Sequence, residues 1–360
     1  MIDRSYDIVI IGSGAGGGTV AQELSPMVAD GLRILVLEKG PKLRDDEFTG
    51  HEIEMGSALY EDQGGFLTAD RTMTLAFGRA YGGSTVVYTG TSLKPPQRVI
   101  QKWNVPDLDH DDLVRRADKF AEQNNVHLLE PALLNDNNRL FLEGARKAGY
   151  RPEQFPLNLK GCKGSSLCNL GCPNGAKQGT NRVQLPNAER NGVEVVTRAE
   201  ALRLEDHAVI ARVSEKAVGE KGEPSTWPPG DYRIRAGIIV AAGGSIGTTA
   251  LLLRSNLDLP HLGENFTCHP AQILVAEHER EITNFVGHPK SFFVDRGAEE
   301  RFVLETCMYF PFVTAKNLTG FGEDHSRFMH AFPKLQMILV LSCDRALPEN
   351  RITLDSHGRP

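Results

Sequence analysis

Tyr6-Asp-Ile-Val-Ile-Ile11, then Gly12-Ser-Gly14-Ala-Gly-Gly17-Gly18, then Thr19-Val-Ala-Gln-Glu-Leu24, and further on Arg33-Ile-Leu-Val-Leu37 closing on Glu38, reads as strand, glycine turn, helix and second strand. The first and last runs are dense in β-branched and leucine residues, as buried parallel strands are. Gly12 suits the tight turn, Gly14 lets backbone approach a pyrophosphate, and Gly17 lets helix and strand pack closely. The N-terminus of the helix offers free N–H groups and the positive end of its dipole to phosphate. Glu38 follows the last of these glycines by about 20 residues, where a carboxylate accepts ribose hydroxyls. This is a dinucleotide fingerprint in its required context. By itself it does not separate NAD from FAD, although a carboxylate at Glu38 disfavours NADP.

Around that unit lie 360 residues of 39.5 kDa, enough for roughly two domains. Apolar residues make up 40% and charged residues 24%, which supports a packed core. The formal charge of −6 gives no basic excess, so a nucleic-acid-binding surface is not expected. The longest apolar runs, Ile8–Ile11 and Ile238–Ala242, are far short of the roughly 18 residues of a membrane span. Met1 leads straight into the first strand with no basic and apolar leader, so the expected location is the cytoplasm.

A second glycine segment reads Phe77-Gly78-Arg79-Ala-Tyr-Gly82-Gly83-Ser84-Thr85-Val-Val-Tyr88-Thr-Gly90. Adjacent glycines followed by two hydroxyls suit backbone pressed against a flat ring or a phosphate. A third, Ile238-Ile-Val-Ala-Ala-Gly243-Gly244-Ser-Ile-Gly247, is again a buried strand running into a glycine turn and a helix. Here the sequence resembles the glucose–methanol–choline (GMC) oxidoreductases, FAD-dependent enzymes that oxidise alcohols. Gly78 to Thr85 matches the form of their first signature and the segment around Gly243 that of their second. The resemblance implies that Gly78, Arg79, Gly83, Ser84, Thr85 and Gly243 lie along the cofactor. It also places Ala201, in Gly192-Val-Glu-Val-Val-Thr-Arg-Ala-Glu-Ala201, near the adenine. Tyr88 stands where many members carry Asn. In Leu262-Gly-Glu-Asn-Phe-Thr-Cys268-His269-Pro270, Cys268 replaces the usual Asp. The resemblance spans residues 5–270 well and 270–345 loosely.

The resulting expectation is an α/β protein: a Rossmann-type FAD-binding domain with an interleaved, incomplete sheet-based substrate domain. Residues 1–265 form the first domain, with a Cys-rich loop at 160–180 inserted, and 266–360 begin the second. Helices are expected over 107–125 and 135–150, a loop or hairpin over 215–231, and a strand-rich sheet over 306–341.

The inserted loop holds Cys162, Cys168 and Cys172 as Cys-x5-Cys-x3-Cys-Pro. With Ser165 in place of one cysteine, this matches the bacterial ferredoxin run. An iron–sulfur cluster is therefore one reading, and some FAD sugar dehydrogenases of the resembled family carry a three-cysteine cluster. A disulfide with one spare thiol, or three reduced thiols folding a glycine-rich loop, are the alternatives. Lys177-Gln-Gly-Thr180 beyond it reads as a substrate-side segment or a solvated turn. Cys268, Cys307 and Cys343 read as buried thiols.

The implied activity is oxidation of a CH–OH group on an alcohol or sugar, with hydride passing to the flavin and then to an acceptor, a candidate electron-acceptor protein included. A non-catalytic flavin-binding, electron-carrying subunit with a three-cysteine cluster is the other reading. In the resembled family the catalytic His pair, or His and Asn, lies in a C-terminal segment whose motif is absent from this sequence. No catalytic residue is therefore assigned, and His269 and His357 read as structural.

Overall fold

The computed structural model describes residues 1–308 and 310–360. Its larger sheet takes β1 (Ile2–Ile11), β2 (Ile34–Glu38), β3 (Glu194–Thr197), β4 (Ala199–Glu205), β5 (Ala208–Val213) and β6 (Gly230–Ala241), in the order β3-β2-β1-β6-β5-β4. The β3-β2-β1-β6 half is parallel, with Ile8 opposite Ile34 and Ile238, and Leu37 opposite Val196. The N-terminal half of β6 then turns back through β5 and β4 as an antiparallel meander.

Alternation along β1 and β2 explains why both faces of these strands are apolar. Ile8, Ile10, Ile34 and Val36 point to the helix side, where α1 (Ala15–Leu24) supplies Ala21 and α4 (Gln184–Arg190) supplies Ala188. Val9, Ile11, Leu35 and Leu37 point the other way. They meet Val209, Ala211 and Val213 of β5, Tyr232 and Ile234 of β6, and Leu251 of α5 (Gly244–Arg254). Each large aliphatic side chain so buried contributes about 1.5–3 kcal/mol.

The smaller sheet runs β7 (Ala271–Glu277), β10 (Leu335–Ser342), β9 (Phe302–Thr306), β8 (Phe292–Arg296) and the two-residue strand Glu153–Gln154. Phe292 and Val294 pack on Phe141 and Ala145 of α3 (Asp136–Lys147), which begins where the Asn135 side chain accepts the Asn138 N–H. The second sheet thus draws on residues on both sides of position 265. α2 (His110–Gln123) and α3 fall within the segments expected to be helical, and 214–229 links β5 to β6, with the last two residues of the expected loop, 230 and 231, already in β6.

The expected strand-rich segment 306–341 is a different matter. Two helices, α6 (Pro311–Asn317) and α7 (Glu323–His330), separate β9 from β10. The first is capped from far away: Phe312 and Val313 donate their N–H groups to the carboxylate of Glu52, at 2.9 and 2.7 Å. Among the described residues, no helix is long and apolar enough to cross a membrane.

Candidate functional site

The three glycine segments converge at the C-terminal ends of β1, β2 and β6. Gly12 turns the chain with φ +99°, and a Cβ there would lie 2.4 Å from the Ala242 carbonyl oxygen. A Cβ on Gly17 would lie 1.9 Å from the carbonyl oxygen of Gly12, which is how closely α1 docks on the turn. Gly83, at φ +54°, faces the same turn, and its Cβ would sit 2.8 Å from the Cα of Gly14. Gly78 packs equally tightly against Gly83 and Ser84 and donates its N–H to Ser84 Oγ at 2.9 Å. Gly243 is the residue that caps α5. Backbone from three distant stretches is therefore gathered at one place, a cradle packed so closely at Gly12, Gly17, Gly78 and Gly83 that a Cβ there would strike neighbouring backbone.

Ser13, inside the first turn, ties the cradle together. Its Oγ donates to Glu38 at 2.5 Å and accepts the Gly82 N–H at 2.9 Å. Glu38 is only 6% exposed at the end of β2. Its carboxylate also accepts the N–H groups of Ser13 at 3.0 Å and Gly40 at 2.7 Å. Burial raises its pKa, while those hydrogen bonds and the charge of Arg79 pull the other way. A carboxylate offers about four acceptor sites, so three protein donors leave room for one more hydroxyl. Arg79 lies 4.0 Å from Glu61 and lines the approach to Gly40. Lys39 Nζ is 3.5 Å from Glu200, so Ala201 follows a residue that reaches the end of β2.

The hydroxyls of Ser84 and Thr85 are engaged within the protein. Thr85 Oγ1 donates to the Gly82 carbonyl at 2.7 Å and accepts the Thr180 N–H at 3.0 Å. Thr180 sits against the first turn, with its Cβ 2.9 Å from where a Gly18 Cβ would be. Lys177 is 3% exposed and donates to the carbonyls of Val86 at 2.7 Å, Tyr88 at 2.5 Å and Cys168 at 2.5 Å. Burial pushes its pKa down to about 8, which leaves it mostly protonated at neutral pH. Lys177–Thr180 is thus a buried clamp and not a solvated turn. The one signal in the sequence is a single charge within an otherwise uncharged run, 169–181.

The cysteines of the loop are all free thiols. Cys162 Sγ accepts the Gly164 N–H and Cys172 Sγ the Lys177 N–H, each at 3.4 Å. Cys168 Sγ lies 3.6 Å from Nε2 of His288, and burial pushes its thiol up to about 12. Each sulfur has its own protein neighbour, and among the described residues no group of three His, Cys, Asp or Glu side chains is arranged to hold a metal ion. The structure gives the iron–sulfur reading no support, and the loop contains no disulfide. It corresponds to three thiols folding a glycine-rich loop. Of the other three, Cys307 is buried while Cys268 and Cys343 are partly exposed.

His269 and His357 are both exposed. Among the described residues the buried histidine is His288, which the sequence does not single out. Burial pushes it down to about 4, and its ring nitrogens lie 2.6 Å from the Lys290 carbonyl and 3.0 Å from that of Thr89. A recess of about 200 Å³ lined by Leu43, Phe48, Tyr81, Val86 and Arg182 lies behind the second glycine segment. A larger polar recess of about 420 Å³ is at the opposite end of β1, beside Arg4 and Trp227.

Residues 56–271 match the family model described as GMC oxidoreductase. An uncharacterized GMC-type oxidoreductase of Mycobacterium tuberculosis is 30% identical over 95% of this chain and 54% of its own length. A long-chain-alcohol oxidase of Arabidopsis thaliana is 30% identical over 73% of this chain and 36% of its own. The chain therefore spans about half the length, or less, of these curated relatives. Among solved structures, pyridoxine 4-oxidase aligns with a TM-score of 0.62 at 16% identity, over 93% of this chain and 71% of that one. Formate oxidase aligns with a TM-score of 0.58 at 14% identity, over 95% and 73%. These likenesses extend to the fold.

Proposed function

The chain belongs to the GMC oxidoreductase family, and from that premise we propose that it holds FAD at the meeting of Gly12–Gly17, Gly78–Thr85 and Gly243 and serves in oxidising the CH–OH group of an alcohol. The observation that carries this reading is the approach of Gly83 to Gly14 beside the buried carboxylate of Glu38. A single nicotinamide site would need the first turn alone, whereas a flavin dinucleotide has surface for all three segments to touch. The name of the Arabidopsis relative supports an alcohol as substrate. Its oxidase name favours an enzyme over an electron-carrying subunit.

When bound, FAD supplies the two-electron acceptor for a hydride leaving the alcohol carbon. The protein's part is to bind and orient. The first turn of α1 presents N–H groups to phosphate, Glu38 takes a ribose hydroxyl, and the strand reaching Ala201 borders the adenosine end. Thr180 and Ser13 hold the second glycine segment against the first. A proton must also leave the hydroxyl, and a positioned base contributes about 10²–10⁴-fold to such a step.

The test uses protein expressed from its complete reading frame, loaded with FAD and mixed without oxygen with a panel of alcohols and sugars. The expected result is bleaching of the flavin by alcohols, faster than by sugars. Bleaching by sugars alone would replace the substrate class, and no bleaching by any member would overturn the reading.

A further inference from the structure

The Lys177 ammonium is buried with three backbone carbonyls as its hydrogen-bond partners. Among the described residues, the titratable groups that interact with it are the thiols of Cys168 and Cys172 and the imidazole of His288, with no carboxylate among them. A buried cation normally has an anionic partner, because the desolvation cost is otherwise met only by dipoles. Here the dipoles are specific ones. Val86 closes the helical turn Gly83–Val86, so the ammonium sits at the carbonyl end of that turn. The other end, Gly83, is the residue against Gly14. Tyr88 lies two residues further on, and Cys168 belongs to the glycine-rich loop.

We propose that Lys177 is a positioning residue for the flavin: it fixes the turn Gly83–Val86 against the first glycine turn, and its charge raises the reduction potential of the cofactor held there. The inference rests on the FAD reading above. The positional half follows from three hydrogen bonds that join residues 86, 88 and 168 at one point. The electrostatic half follows from the absence of a neutralising carboxylate, since a positive charge in a low-dielectric interior favours added electrons nearby. A lysine that merely held two loops together would affect stability and leave the potential where it was.

The experiment compares Lys177→Met and Lys177→Arg with the wild-type chain, all loaded with FAD, by redox-dye titration and by FAD retention on dilution. Lys177→Met is expected to lower the reduced-to-oxidised ratio at a fixed poise about tenfold, which is about 30 mV for a two-electron couple. It should also lose FAD faster, and Lys177→Arg should restore the potential towards wild type. Lys177→Met with an unchanged potential would overturn the proposal, whatever its stability. If Lys177→Met does not fold, Lys177→Gln makes the same comparison with donors kept and charge removed. Should neither neutral variant fold, the wild-type protein decides: bound FAD with a potential above free FAD upholds the proposal and one at or below it overturns it. A wild-type protein that retains no FAD is a distinct outcome and overturns the flavin reading itself.

Discussion

Glu38→Ala is expected to lower the stability of the ligand-free protein by about 2–4 kcal/mol and to weaken FAD binding at least tenfold. Glu38 is the acceptor for Ser13 N–H, Ser13 Oγ and Gly40 N–H. Removing it strands three donors in a buried place, each costing about 1–3 kcal/mol when unsatisfied. Water entering the vacated space would recover part of that sum. Ser13 also holds the Gly82 N–H, so the second glycine segment should loosen along with the first. Urea unfolding of the apoprotein and FAD titration measure the two effects separately. Unchanged values in both would mean that the carboxylate is an ordinary strand end.

Gly17→Ala should cost more than 3 kcal/mol or prevent folding, while its neighbour Gly16→Ala should be neutral or stabilise by up to about 1 kcal/mol. The two positions are adjacent in the same helix and chemically identical. They differ in what a methyl group would meet: backbone of Gly12 at 1.9 Å in one case, and open space within 4 Å in the other. The Gly12 oxygen is part of the turn, so no flexible side chain can move aside. Gly16→Ala gains helix propensity with nothing to displace. Denaturant midpoints for the pair measure the difference, and similar midpoints would contradict the close docking of α1 on the turn.

Much of this site can be read in the linear sequence because its elements are local. A strand, a glycine turn and a helix within thirty-odd residues announce themselves by pattern, and β1, α1 and β2 overlap the expected runs, with β1 starting at Ile2 and α1 at Ala15, ahead of Tyr6 and Thr19. Glu38 was legible as the acid ending β2, but not as a residue enclosed by Ser13 and Gly40. Its enclosure depends on a serine side chain folding back across the turn. Lys177 was illegible for a plainer reason: its partners Val86 and Tyr88 lie about ninety residues earlier, and hydrophobic periodicity reports only on neighbours three or four positions away. Likewise the capping of α6 by Glu52 spans most of the chain, so aromatic composition alone pointed to strands there. The cysteine spacing resembled a ligand set, yet Gly164, Lys177 and His288 each stand beside a different sulfur.

The most direct test of the central claim is the identity of the small molecule that the folded protein carries. Purified protein is washed free of unbound nucleotide, its fold is checked by circular dichroism, and it is then denatured by heat. The supernatant is analysed by absorbance, fluorescence and mass. Release of FAD, yellow and fluorescent, in near-equal amount to protein is the predicted result. Well-folded protein that released NAD instead, or that released nothing and could not be loaded by added FAD, would contradict the account.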